Sequence, residues 1–245
     1  MSRKGRWVRD SFAFTSTQRD VWLVDALFVD VWQLEEDSME KNPLYEIANA
    51  IDGFFGLAPG PVNLVVQAFE QGALPAPIVG LSPAYTTFGE LPAVCADWTH
   101  VPAEQNAWVF RAEYVEIFGI RLISPLIHFE FDFVPDYLLP SWIVDRLVSL
   151  GVLTKKENSN DEVEYRIDCD QDLELLFSAN GQQFRLDLLA YRLPNLNCTT
   201  ILLPLNTRRE YKDEPSIRFG QFFLDHNCVA FDYAKNSIVL ANHKK

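Results

Sequence analysis

The sequence is poor in metal-ligating residues, and those that it has are not spaced as a metal site. Its four cysteines, Cys95, Cys169, Cys198 and Cys228, include no Cys-x-x-Cys pair, and its four histidines are scattered along the chain. Structural zinc sites usually gather cysteines and histidines at short, regular spacings. We therefore expect no bound metal and no cofactor. The cysteines are interpreted either as four partly buried thiols or as two disulfides.

The sequence also lacks a long apolar run and an excess of basic residues. The uncharged run Gly53–Phe69 contains Pro59, Gly60 and Pro61, which interrupt a membrane-spanning helix. The basic start of the chain is not followed by an apolar stretch, so we expect no signal peptide. The formal net charge of −13 repels phosphate backbones and anionic headgroups. We therefore expect no nucleic-acid partner and no membrane partner, and we expect a monomer.

The chain has enough apolar residues for a large core, and most of its patterns predict β-strands. It has 245 residues, of which 48% are hydrophobic, which suits one large domain or two lobes. Strand-like runs rich in β-branched and aromatic residues occur at Val21–Val24, Phe28–Trp32 and Ala107–Phe118. Asn180 and Gly181 lie between two apolar runs and predict a tight β-hairpin turn. These patterns predict a mostly β architecture.

Helical periodicity is clear in only two places. Asn63–Phe69 carries apolar residues on one face and is followed by Gly72, which is a typical C-terminal cap. Ser141–Leu150 begins after a proline and repeats apolar residues at helical spacing. Lys155–Glu164 and Asn206–Ser216 are polar and charged, and we interpret both as solvated loops.

Several motifs occur along the chain in a recognisable order. Asp52–Ala58 reads Asp-Gly-Phe-Phe-Gly-Leu-Ala and precedes the predicted helix at Asn63–Phe69. Thr87–Gly89 follows, and Phe219–Ala241 combines a hydrophobic-Gly turn with Phe-Asp and a closing apolar strand. In this order the motifs resemble those of pepsin-like aspartic peptidases. The resemblance implies a mostly β, bilobal pepsin-like fold.

The resemblance implies catalytic positions at two aspartates, Asp25 and Asp132, one in each lobe. In the family each aspartate lies in an Asp-Thr/Ser-Gly turn, and the two carboxylates share one proton. In this sequence Ala26 stands where the first hydroxyl residue is expected, and Leu27 where the glycine is expected. Both turns therefore depart from the family pattern, and we interpret the aspartates as remnant positions.

The second turn departs in the same way. If one residue is deleted relative to the family, Asp132 occupies the catalytic position and Phe133 that of the threonine. Val134 then occupies the position of the glycine, and without the deletion the aspartate itself is lost. A residue with a β-carbon strains a turn that glycine normally makes.

The first lobe is predicted to be shortened. The family's two lobes are pseudo-repeats, yet Asp132 and Gly220 lie 88 residues apart whereas Asp25 and Gly56 lie only 31 apart. The missing residues include the family's substrate-covering hairpin flap. We therefore expect a shortened N-terminal lobe over residues 1–102. Residues 103–245 are expected to form a C-terminal lobe whose final strands return to the inter-lobe sheet.

The resemblance also pairs the cysteines. Cys169 and Cys198 match the disulfide of the family's C-terminal lobe, and Cys95 and Cys228 would both lie in the inter-lobe sheet, where a second bridge is expected. Family members are typically extracellular or lysosomal, whereas no signal peptide is expected in this chain. We therefore leave its compartment open.

Three hypotheses for function follow. The leading one is a catalytically inactive family member that binds an extended peptide or a protein partner in the remnant cleft. The second is an aspartic endopeptidase that uses Asp25 and Asp132. The third is an incomplete gene product of an active peptidase.

Overall fold

A computed structural model describes most of the chain. The described residues are 3–14, 21–34, 56–60, 63–104, 107–129, 137–157, 163–167, 174–187, 202–205, 216–220, 223–224 and 226–243. They form a mostly β fold, which confirms the fold class predicted from the sequence. The division into two lobes at residues 102 and 103 stays a prediction.

Eighteen strands and two helices lie in the described part of the chain. In chain order the strands are β1 Arg3–Phe14, β2 Val21–Leu34, β3 Ile78–Leu81, β4 Thr86–Phe88, β5 Cys95–Pro102, β6 Val109–Arg111, β7 Tyr114–Ile117, β8 Ile120–Ile123, β9 Leu126–Phe129, β10 Tyr137–Pro140, β11 Leu153–Glu157, β12 Val163–Ile167, β13 Glu174–Ala179, β14 Gln182–Asp187, β15 Leu202–Leu205, β16 Ser216–Phe219, β17 Asn227–Asp232 and β18 Ser237–His243. The helices are α1 Leu64–Glu70 and α2 Ser141–Ser149. Neither helix is long and apolar enough to cross a membrane.

The last two strands complete a five-stranded sheet that begins much earlier in the chain. Its order is β4-β3-β17-β18-β5, and all of its strand pairs are antiparallel. Strand β17 is buried along its whole length and pairs on both sides, with β3 and β18. The sheet therefore joins strands from both sides of the predicted lobe boundary.

A disulfide between Cys95 and Cys228 ties this sheet together, which confirms the pairing expected for these two cysteines. It joins the start of β5 to β17, and its half-cystines pack with Ala241 in a small apolar cluster. The bridge closes a loop of 133 residues. In the chain-entropy model a loop of this length contributes up to about 5 kcal/mol of stability.

Two further sheets enclose the main core. One has the order β15-β10-β16-β9-β6, and the other has the order β14-β13-β7-β8. Phenylalanine side chains fill the space between them, with ring centroids of neighbouring pairs 4.9–6.2 Å apart, among them Phe110, Phe129, Phe177, Phe184, Phe219 and Phe223. Stacked and edge-to-face rings of this kind stabilise a core beyond the area that they bury.

The local signals read from the sequence are confirmed where they are strongest. Asn180 and Gly181 both have positive φ and form the turn of the β13–β14 hairpin. Asn63 caps α1 through a side-chain bond to the Val65 N–H, and Gly72 after the helix has a φ of +72°. Helix α2 begins at Ser141, directly after Pro140, as predicted.

One local prediction is wrong. Lys155–Glu157 belongs to β11 rather than to a loop, because it pairs with residues of β12. The two strand-like runs Val21–Val24 and Phe28–Trp32 both lie in β2. There β2 runs on as a single strand against β1, with a β-bulge near Asp10.

His128 lies in β9, which pairs with β16 on one side and with β6 on the other. It is 5% exposed, and its strand neighbours in register are Arg218 of β16 and Val109 of β6. Burial, and then the positive charge of Arg218, lower the pKa of His128 to about 4. The folded protein therefore holds this imidazole neutral under mildly acidic conditions.

We predict that His128 makes the fold sensitive to acid. An unfolded histidine takes up a proton near pH 6.5, whereas His128 in the folded protein does so only near pH 4. The free energy of unfolding should therefore fall as the pH is lowered from about 6.5 to about 4, by on the order of 3 kcal/mol at most. Urea unfolding of the parent and of His128→Gln across this range measures the effect. The variant should lose less stability than the parent, and equal losses would contradict the prediction.

Candidate functional site

Asp25 lies on an exposed surface of the β1–β2 hairpin. The residue sits at the bulge in strand β2 and has a φ of +56°, which is uncommon outside glycine. Its Oδ2 atom lies 2.8 Å from Nη1 of Arg9, and the side chains of Arg9 and Asp25 are 59% and 66% exposed. The same guanidinium also donates to the backbone carbonyl of Asp25, at 3.3 Å. The carboxylate therefore forms a solvated surface ion pair, which contributes little to stability.

Ala26, the next residue, is a packing point. Its side chain is fully buried and belongs to a cluster with Val65 and Ala68 of α1, and with Leu74 and Val79. The resemblance implies a hydroxyl at this position that braces the catalytic turn. Here the position instead attaches β2 to helix α1.

Leu27 is held by a two-point contact with the same helix. Its N–H donates to Oε1 of Gln67 at 2.8 Å, and its carbonyl accepts from Nε2 of Gln67 at 3.1 Å. The amide side chain of Gln67 thus pairs with the backbone as a neighbouring strand would. Because its N–H is used in this way, Leu27 does not offer it to the carboxylate of Asp25.

The remaining predicted site residues lie outside the described part of the chain. These are Asp132 with its neighbours Phe133 and Val134, and the cysteines Cys169 and Cys198. The pairing of the two cysteines and the position of Asp132 relative to Asp25 stay predictions.

The loop of residues 56–60 is fixed by three side chains that the sequence analysis did not select for this role. Asn63 donates through Nδ2 to the carbonyls of Gly56 and Ala58, and to the Tyr233 hydroxyl at 3.2 Å. The carbonyl of Leu57 accepts from the Tyr233 hydroxyl at 2.8 Å and from Nε1 of Trp108 at 2.5 Å. A short loop segment therefore has its carbonyls bonded to side chains from distant parts of the chain.

The same aromatic residues connect the loop to the main core. The Trp108 ring stacks on Phe231 at 4.6 Å and meets the Tyr233 ring edge-on at 5.1 Å. Burial raises the pKa of Tyr233, so its hydroxyl keeps its proton and donates to Leu57. Only the Asp-Gly-Phe-Phe-Gly-Leu-Ala motif marked this loop in the sequence, because its partners lie up to 176 positions away.

Open space adjoins the loop. Gly56 is exposed, and among the described residues no atom other than those of its chain neighbours lies within 4 Å of the place where its β-carbon would be. Leu57, beside it, packs against both the main core and the cluster that contains Ala26. The loop therefore connects the Asp25 segment to the core and leaves one side open. Within the described residues, no group of three or more potential metal ligands is arranged to hold an ion.

Comparison with protein families identifies the C-terminal part of the chain. The family model of eukaryotic aspartyl proteases matches residues 138–243. No curated protein matches the chain significantly. The matched segment contains α2, the β13–β14 hairpin and the final β17–β18 hairpin, and it begins after Asp132. Residues 138–243 are therefore similar to the eukaryotic aspartyl proteases, which confirms the resemblance predicted from the sequence motifs.

Proposed function

We propose that this chain is a catalytically inactive member of the family that binds an extended peptide or a segment of a protein partner. The observation that carries the proposal is the state of the segment Asp25–Leu27. The carboxylate of Asp25 pairs with Arg9 and is exposed to solvent. The apolar side chain of Ala26 is buried, and the backbone N–H of Leu27 donates to Gln67.

Peptidase chemistry in this family needs two carboxylates close enough to share a proton. One carboxylate activates a water and the other donates a proton to the scissile carbonyl. The carboxylate of Asp25 is instead paired with the guanidinium of Arg9, which is positively charged and is not a second acid. An exposed position also leaves bulk water around the reacting groups, where electrostatic stabilisation of a transition state is weak.

Binding of a peptide does not require two carboxylates that share a proton. The loop of residues 56–60 supports a binding function. The side chains of Asn63, Tyr233 and Trp108 hold the loop in place. Because the loop is already ordered, binding of a ligand costs little conformational entropy of the loop. The exposed backbone at Gly56 leaves room for an extended peptide. We place the peptide beside this loop.

We predict that the protein does not cleave denatured protein between pH 2 and pH 7. The measurement is a mass-spectrometric digest with the parent and with the double variant Asp25→Asn, Asp132→Asn, which controls for contaminating protease. Identical peptide patterns support the proposal. Cleavage by the parent that the double variant lacks would establish the rival hypothesis of an aspartic endopeptidase.

We predict that a bulky residue at Gly56 blocks peptide binding without unfolding the protein. Gly56→Trp fills the open side of the loop, and Ala84→Trp, at an exposed position outside the loop, is the control. Binding to an array of extended peptides should be lost in the first variant and kept in the second, with unchanged urea unfolding in both. Equal binding by the two variants, or no peptide bound by the parent, would contradict the proposed site.

A further inference from the structure

Strand pairing brings together two histidines that lie 17 positions apart in the sequence, His226 and His243. Asn227 pairs with Asn242 at the open end of the antiparallel β17–β18 hairpin. One step further, the N–H of His243 donates to the carbonyl of His226 at 3.1 Å. The two histidines are therefore direct cross-strand partners.

Direct partners in an antiparallel pair project their side chains from the same face of the sheet. The α-carbons of a hydrogen-bonded pair are about 5.5 Å apart, a distance that two imidazoles can span to reach one ion. His226 is exposed and His243 is partly exposed. Within the described part of the chain, neither imidazole makes a hydrogen bond or an ion pair. Both rings are thus accessible and have nitrogen atoms available.

We propose that His226 and His243 together bind a divalent transition-metal ion of the class that prefers imidazole, Zn²⁺ or Cu²⁺. Each histidine supplies one nitrogen, and water completes the coordination of the ion. Neutral imidazole is a common ligand for both ions, with nitrogen–metal distances near 2.0–2.1 Å for zinc. The negative charge of the chain, −13, favours the approach of a cation.

The backbone around the pair is held firmly, which favours chelation. Strand β18 lies between β17 and β5, and His243 is also in register with Cys95 of β5. The Cys95–Cys228 disulfide bridges β5 and β17 beside the two histidines. His226 directly precedes β17 and His243 lies in β18, so the disulfide fixes the backbone beside both ligands. The site does not depend on the proposed peptide-binding function.

The test uses the full-length, untagged protein with its disulfides intact. Isothermal titration at pH 7.5 with Cu²⁺, Zn²⁺ and Mg²⁺ separates imidazole ligation from general attraction to an acidic surface. We expect one Cu²⁺ or Zn²⁺ ion per chain and no Mg²⁺. Binding should be lost in His226→Gln and in His243→Gln. His100→Gln, which removes another exposed histidine, should bind as the parent does.

Two measurements keep the proposal falsifiable. Electron paramagnetic resonance of the Cu²⁺ complex should show coupling to imidazole nitrogens in the parent and in His100→Gln, and its loss in the other two variants. Binding that persists in both His226→Gln and His243→Gln, equal binding of Mg²⁺, or no binding by the parent would overturn the proposal. Urea unfolding without metal checks that the variants remain folded.

Discussion

The return of the last hairpin to the sheet begun by β3 and β5 is the constraint on which the rest of this structure depends. Strand β17 is buried along its whole length, and each of its backbone polar groups needs a partner. Strands β3 and β18 supply these partners on its two edges, and β5 completes the far side of β18. Because these pairings join residues far apart in sequence, the fold closes only when both regions are in place. The Cys95–Cys228 disulfide links β5 to β17 covalently and thereby stabilises the closed sheet.

The candidate site depends on the same closure. Tyr233 directly follows β17, and its hydroxyl reaches the Leu57 carbonyl only because β17 lies beside β3. Trp108 approaches the same carbonyl from the main core. The loop at residues 56–60 is therefore positioned by tertiary structure, and it joins the Ala26 cluster to the rest of the molecule through Leu57.

The segment that resembles a catalytic turn has become part of this packing. Ala26 is buried against helix α1, and the backbone of Leu27 pairs with Gln67. Both contacts stabilise the attachment of the β1–β2 hairpin. They involve the two positions at which the resemblance implies the hydroxyl residue and the glycine of a catalytic turn, so both positions contribute to packing here.

Local features could be predicted from the sequence because their causes are local. Asn180 and Gly181 tolerate the positive φ that a tight turn requires, and Asn63 supplies a cap wherever a helix starts after it. The pairing of Cys95 with Cys228 followed from the family resemblance rather than from spacing.

Features that depend on a distant partner could not be predicted. The strand at Lys155 has no apolar alternation and is defined by pairing with β12. The contact of Gln67 with Leu27 spans 40 positions, and nothing in either neighbourhood marks it. His226 and His243 become partners only through the register of the final hairpin.

Ala26 is packed in an apolar cluster, and urea unfolding of Ala26→Thr measures whether this position still tolerates the hydroxyl of a catalytic turn. Threonine is the residue that the family resemblance implies at this position, but here it would place a larger, hydroxylated side chain in a filled apolar cluster. We predict that urea unfolding shows a loss of about 1–3 kcal/mol, as overpacked cores do. The exposed control Ala84→Thr should change little. Unchanged or increased stability of Ala26→Thr would contradict the account, because it would mean that this segment still accommodates the bracing hydroxyl of a catalytic turn.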